Sequence, residues 1–392
     1  MQITGLDVTL VTIPFTRPEL WAWGDRKGMT SAIIEVHTDA GISGLGEAVV
    51  VLGPTPPIVL DVLRRMEQLV MGEAPNRVEF LTAKILGEGA WHSFREMAFT
   101  CWAGIEMACW DIVGKATGMS VTELLGGPVR RDVPAMFYVY GSHDIAVMVE
   151  YAAEGVARGF GTVYVKVGIE EERDIELVAR VREAIGPRPK LRVDANEAWS
   201  PGTAVRILGR MRPYVIEYAE QPTLMFDLDG LAHVRRVSGV PVAANQSSWG
   251  SFRILDLIKR GACDVLMTDP HQEGGILAFK KAAALAEAAG LPIVNHAFSP
   301  ATITMHAQLS VAGSSPNFFL ACQGHQDLLA GDVVTMPLSY EGGRMRVPTG
   351  PGLGLELDRE RLAEYRALFE RDGFASAHAA QAPGQMISVP NQ

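Results

Sequence analysis

Six polar residues of kinds that do chemistry recur along the second half of this 392-residue chain. Lys166, Asp194, Glu220, Asn245, Asp269 and His296 are separated by 28, 26, 25, 24 and 27 residues. Each sits at or just past the end of a short run rich in β-branched residues. Asp194, Glu220 and Asn245 would offer three hard oxygen donors from consecutive strands, a set that suits Mg²⁺ and leaves positions open for water or substrate. Zinc would be expected to bring His or Cys into the set. With two carboxylates the metal site is formally neutral, so a carboxylate substrate can reach the ion. The ion would stabilise the negative charge that develops as a proton leaves the neighbouring carbon. Lys166 and His296 are the candidate bases, and Asp269 can set the His296 tautomer by accepting a ring N–H. The chemistry within reach of this set is abstraction of a proton α to a carboxylate.

The period also predicts the scaffold. One βα unit of a parallel barrel takes about 30 residues, and such barrels build their active sites at the C-terminal ends of the strands. Eight β-rich runs alternate with helical stretches: Ala135–Tyr140, Thr162–Val167, Leu191–Val193, Val215–Tyr218, Pro241–Ala243, Val265–Met267, Pro292–Val294 and Asn317–Ala321. The predicted fold class is therefore α/β, a (β/α) barrel. A doubly wound open sheet is the alternative, but no G-x-G-x-x-G turn follows its first strand.

Before Pro128 the pattern differs. Residues 2–13 alternate apolar and polar, Ser31–Val36 is a second extended run, and residues 40–44 form a Gly-rich turn, which together predict a small antiparallel sheet. Helical spacing follows over Pro57–Met71, Glu79–Leu86 and Met97–Thr117, with Gly118 as the stop. The tail from Pro348 to Leu357 reads as a loop and extended segment returning to this N-terminal unit. A loose end is expected beyond Phe374. The expected units are 1–127 as an α+β cap, 128–345 as the barrel, and 346–392 as the return and tail.

Composition excludes several classes. Apolar residues make up 48 % and charged residues 20 %, and the formal charge is −10, which argues against nucleic acid and anionic membranes as partners. There is no run of eighteen apolar residues to predict a membrane span. The first fifteen residues lack the basic and apolar segments of a secretion signal. The four cysteines, Cys101, Cys109, Cys263 and Cys322, show no metal-ligand spacing, so reduced thiols in a cytoplasmic protein are expected.

The chain resembles the mandelate racemase and muconate lactonizing enzyme branch of the enolase superfamily. The resemblance rests on Ala108-Cys109-Trp110-Asp111-Ile112 with Gly114-Lys115, on Leu124-Leu125-Gly126-Gly127 and on Lys166-Val167-Gly168. It continues through Val193-Asp194-Ala195-Asn196, Glu220-Gln221-Pro222, Gly274-Gly275 and Pro351-Gly352-Leu353-Gly354. It implies a modified TIM barrel closed by an α+β capping domain, Mg²⁺ on Asp194, Glu220 and the residue ending strand five, and a homo-oligomer. Lys166 and the His296–Asp269 pair match the mandelate racemase-like branch, whose superfamily pairs a Lys or His base with Mg²⁺. Substrate contacts implied by the resemblance are Tyr164, Asn196, Gln246, His271 and, from a loop over the pocket, Arg17, Trp21 and Trp23.

Three departures stand out. Tyr164 occupies the position where Lys-x-Lys has its first lysine, and strand period puts its phenol on the face of Lys166. Asn245, with Gln246 as its competitor, stands where the third ligand is usually acidic, which is similar to glucarate dehydratases. Strand eight ends in Cys322-Gln323 without the usual Glu. The first two departures cancel in formal charge. The expected activity is dehydration of an acid sugar to a 2-keto-3-deoxy acid. A racemase, epimerase or cycloisomerase of a hydroxy or sugar acid is the alternative, and a non-catalytic sugar-acid sensor is the third reading.

Overall fold

The computed structural model describes residues 1–50, 56–87, 91 and 94–375. The loose end expected beyond Phe374 lies almost wholly outside the described residues. Three antiparallel strands, β1 (Ile3–Trp21), β2 (Gly24–Thr38) and β3 (Ser43–Val49), form the first sheet in the order β1-β2-β3. Helices Pro56–Val70, Val78–Gly87 and Arg95–Thr117 pack with it, and the last stops at Gly118, whose φ of 72° needs a residue without a Cβ. Gly46 lets that helix lie directly on β3, since a Cβ there would come within 1.8 Å of the Gly104 carbonyl oxygen.

The segment Phe15–Trp23 differs from the expected loop. It is the outer end of the β1–β2 hairpin. At Phe15 and Thr16 the first strand leaves β2 and bonds instead to Leu328 and Leu329, and it rejoins β2 where Glu19 faces Arg26. The buried Glu19–Arg26 ion pair closes the ladder that the bulge had opened.

After β4 (Asp132–Pro134) come seven parallel strands. They are β5 (Phe137–Val139), β6 (Thr162–Lys166), β7 (Lys190–Asp194), β8 (Ile216–Glu220), β9 (Val242–Ala244), β10 (Val265–Thr268) and β11 (Ile293–Asn295), adjacent in chain order. Helices connect them, so this is the predicted modified barrel with its α+β cap. The eighth predicted run forms no strand. Residues 317–322 span the gap with few bonds: Ile293 N donates to Asn317 O on one side, and on the other the Ala135–Cys322 bridge is made by Cys322 N to Pro134 O and Met136 N to Cys322 O. Side chains take the carbonyls a ladder would have used: Arg192 Nη1 donates to Ala321 O at 2.6 Å and Asn295 Nδ2 to Gln323 O at 3.0 Å. The last strand, β12 (Arg344–Arg346), pairs antiparallel with β4. The helix Arg359–Asp372 then packs on β1, with Arg359 held by Glu35 of β2. Among the described residues no helix is long and apolar enough to cross a membrane.

Two buried cap carboxylates dock this unit on the barrel. Glu47 of β3 accepts from Ala301 N and from Thr304 N and Oγ1, capping the helix Thr302–Ser314. Glu106 accepts from Ile276 N, Leu277 N and Trp110 Nε1 at the start of the helix Ile276–Ala288. Free N–H groups and the helix dipole favour an acceptor at both places. Burial nevertheless raises both carboxyls, that of Glu106 to about 7 against three opposing hydrogen bonds. Between about 4.5 and about 7 the folded Glu106 therefore keeps a proton that the unfolded chain has lost, and this stabilisation fades as pH rises. Glu106→Gln removes the titration, so the stability difference between wild type and variant is expected to be most favourable to wild type near pH 4.5 and to shrink as pH rises through about 7. Denaturant midpoints across that range test this; a wild-type advantage that grows with pH would refute it.

Candidate active site

Strand register decides which side chains enter the barrel. Partners across a parallel ladder share a face, and the pairs Tyr138↔Tyr164, Tyr164↔Arg192, Lys166↔Asp194, Asp194↔Glu220 and Glu220↔Ala243 run around the sheet. Ala243 pairs onward with Val265, and Met267 with Val294. Counting by two along each strand, Asn245, Asp269 and His296 follow on the same inner face. Lys166, Asp194 and Glu220 are the last residues of their strands, and the other three each lie one residue beyond theirs.

Asp194 and Glu220 are fully buried side by side. The Tyr164 phenol donates to Asp194 Oδ2 at 2.5 Å and reaches Glu220 Oε2 at 3.1 Å. Lys166 Nζ lies 2.6 Å from Asp194 Oδ2 and 2.9 Å from Asn196 Oδ1. Asn196 also donates its backbone N–H to Asp194 Oδ1, with φ at 44°. Burial and the charge of Asp194 push the Glu220 carboxyl well above the usual carboxylate range, and Glu220 Oε1 has no hydrogen-bond partner. Burial and the same two carboxylates push the Tyr164 phenol up as well, which keeps it a donor. A buried carboxylate pair with an orphaned oxygen fits a cation.

The third candidate donor, Asn245, is an amide. Among the described residues no group of three or more His, Cys, Asp and Glu is placed to hold a metal. Gln272 Nε2 donates to the Asn245 carbonyl at 3.0 Å, which leaves Gln272 Oε1 to accept from Asn245 Nδ2 at 3.2 Å. A backbone carbonyl can only accept, so this pair assigns both amides. Asn245 therefore turns Oδ1 away from Gln272, and nothing among the described residues donates to it. Gln246 lines the neighbouring cavity, with a buried Oε1 that has no partner. Two carboxylates and an amide oxygen suit a hard divalent cation such as Mg²⁺.

Lys166, Asn196, Gln246 and His296 line one pocket, together with Trp21, Arg26, Phe298, Gln323 and His325. His296 Nδ1 faces Asp269 Oδ2 at 3.1 Å. Asp269 Oδ1 is held by the N–H groups of His271 and Gln272, so the carboxylate is fixed and Nδ1 carries the hydrogen. Nε2 is then the nitrogen available for proton transfer.

Three expected contacts lie elsewhere. Arg17 donates to Tyr140 and stacks on Tyr140 and Tyr151, outside the residues lining this pocket, because the β1 bulge turns it outward. His271 points to the cap and meets the Glu47 carbonyl at 2.8 Å. Trp23 donates to the Asn196 carbonyl, so it braces the loop after β7 from the cap. Arg26, Glu19, Tyr138 and His325 were missed. Gln323 continues the strand-end period by 27 residues from His296, but nothing local marks Arg26 as inward.

Residues 5–126 match the family described as mandelate racemase / muconate lactonizing enzyme, N-terminal domain, and residues 147–361 match the enolase C-terminal domain-like family. The chain is 30% identical to D-galactarolactone cycloisomerase of Agrobacterium fabrum, across 85% of this chain and 90% of that protein. It is 29% identical to "Probable glucarate dehydratase" of Streptomyces coelicolor, across 91% of each. The dipeptide epimerase of Enterococcus faecalis, solved with Mg and the dipeptide L-Leu-L-Tyr, superposes with a TM-score of 0.84 at 29% identity, covering 91% of this chain and 100% of that one. With both halves matched and the strand-end residues gathered at the barrel mouth, the chain belongs to the mandelate racemase/muconate lactonizing enzyme family of the enolase superfamily.

Proposed function

We propose that this chain removes the proton α to a carboxylate with the help of Mg²⁺, and that the reaction is dehydration of an acid sugar to a 2-keto-3-deoxy acid. The observation that carries the reading is that Lys166 and the Asp269-oriented His296, from strands far apart in the sheet, open onto one pocket. The relatives support the first half-reaction, since their names include dehydratase, cycloisomerase and epimerase, and one was solved with Mg.

Asp194, Glu220 and Asn245 would hold the ion. When bound, it would supply charge stabilisation to the substrate carboxylate as the α-proton leaves. The remaining work falls to the chain's own groups. Lys166 Nζ and His296 Nε2 are the two groups placed to take the proton, and substrate configuration selects between them. For dehydration, His296 returns the α-proton it has taken to the departing β-hydroxyl, or, where Lys166 is the base, enters doubly protonated and gives its Nε2 proton, and the enol collapses to the keto acid. Trp21 and Phe298, its ring edge-on to His296 with centroids 4.1 Å apart, narrow the water access to that nitrogen. An amide at position 245, where the family's third ligand is usually acidic, resembles the glucarate dehydratases, and this resemblance supports water loss over simple isomerisation.

Lys166→Ala and His296→Asn are each expected to lower turnover by about three orders of magnitude while Mg²⁺ binding persists. Full activity in either variant removes that residue from the mechanism. Asp269→Asn presents an N–H or the wrong tautomer to His296 and should lower turnover about a hundredfold or more, as loss of an orienting carboxylate does elsewhere. Asn245→Leu should weaken Mg²⁺ binding by about tenfold or more in calorimetry; unchanged affinity would discard Asn245 as a ligand. Proton NMR in D₂O reports the reaction directly. A keto product with loss of the α-proton supports dehydration, whereas exchange without one moves the assignment to a racemase, epimerase or cycloisomerase.

A further inference from the structure

One part of the pocket lining takes no part in proton transfer. Arg26, on the cap, and His325, in the loop after residue 322, both face the pocket, and Glu19 and Tyr138 stand behind Arg26. Glu19 is completely buried and its Oε2 receives both Nε, at 2.8 Å, and Nη2 of Arg26, while its Oε1 receives the Tyr138 hydroxyl. The guanidinium is thus already matched by one buried anion. His325 Nδ1 is bonded to Ser299 Oγ at 2.8 Å, and its ring lies 4.2 Å from that of Tyr138. Its Nε2 is buried and has no partner. Burial, aided by the charges of Arg26, Lys166 and His296, pushes this imidazole well below its usual range and keeps it neutral.

This lining therefore offers hydrogen bonds and no net charge. We propose that Arg26, neutralised by Glu19, and His325 select a monocarboxylic polyhydroxy acid, binding its uncharged hydroxyl-bearing end and rejecting acids with a second carboxylate there. The proposal rests on the reading that the first carboxylate lies at the Asp194–Glu220 end. A hydroxyl both donates and accepts, so it satisfies His325 Nε2 in either tautomer and also accepts from Arg26. A carboxylate only accepts, and it would have to share one cation with buried Glu19 where water screens little.

The test compares aldonates with the aldarates of the same length and configuration. Calorimetric binding to the Mg²⁺-loaded Lys166→Ala variant and α-proton exchange by wild type in D₂O are measured for each pair. Aldonates are expected to bind and exchange about a hundredfold better than their aldarates. Glu19→Gln uncovers the Arg26 charge and should narrow that ratio about tenfold, a shift that general loss of folded protein cannot produce because it cancels in the ratio. If that variant does not fold, the wild-type ratio alone decides. Equal or better binding of aldarates overturns the proposal, as does binding of neither acid. Preferred aldonate binding without exchange by wild type supports this selectivity while refuting proton abstraction. Exchange on aldarates does the reverse.

Discussion

Two carboxylates on adjacent strands, both removed from water, are the electrostatic problem around which the barrel mouth is organised. Asp194 and Glu220 repel each other, and each forgoes hydration. Lys166 supplies one positive charge and Tyr164 one proton shared across both groups. That is too little for two buried anions, which is why Glu220 is driven toward its protonated form and keeps an oxygen without a partner. A divalent cation answers the same imbalance. The tyrosine that replaces a second lysine is consistent with this, since it can bridge the pair without adding charge.

Such a site works only where solvent is kept out, and the cap does that through anchors that are electrostatic in turn. Glu47 and Glu106 end on the free N–H groups of barrel helices, and His271 and Trp23 add hydrogen bonds between cap and barrel. The cap also contributes Trp21 and Arg26 to the pocket itself. Position of the cap and shape of the pocket are therefore one structural fact. The barrel carries the candidate proton-transfer groups, whereas the cap adds Trp21 and Arg26 to the pocket lining. Relatives at about 30% identity carry cycloisomerase, dehydratase and epimerase names, which fits the general rule that a scaffold sets a reaction class and the site sets the reaction.

The barrel interior shows how the strand ends are supported. Below Asp194 and Glu220 a layer of Tyr138, Tyr164, Arg192 and Tyr218 fills the bore. Arg192 stacks on Tyr218, pairs with Glu217 and reaches the Ala321 carbonyl, so one buried side chain does part of the closing that an eighth strand would have done. Large rigid rings in this layer limit the rotamers open to the groups above them.

The amino-acid sequence by itself determined the repeat. Its strand and helix periods predicted the barrel, the strand-end residues and the stop at Gly118, because spacing along a chain is a local property. It did not determine which charged residue of the hairpin faces the pocket. Arg17 and Arg26 are nine positions apart, and nothing in the residues beside either one marks which faces the pocket. A bulge against Leu328 and Leu329 turns the first outward, and a buried pair with Glu19 holds the second inward. Nor did sequence reveal that His271 would meet Glu47 across the cap boundary, or that residues 317–322 would make a few isolated bonds instead of forming a strand. Several of those outcomes rest on contacts between segments far apart in the chain, such as His271 with Glu47 and Phe15 with Leu329. Hydrogen-bond partners and the direction of a side chain are decided there by three-dimensional competition for donors, acceptors and space, which no local pattern encodes.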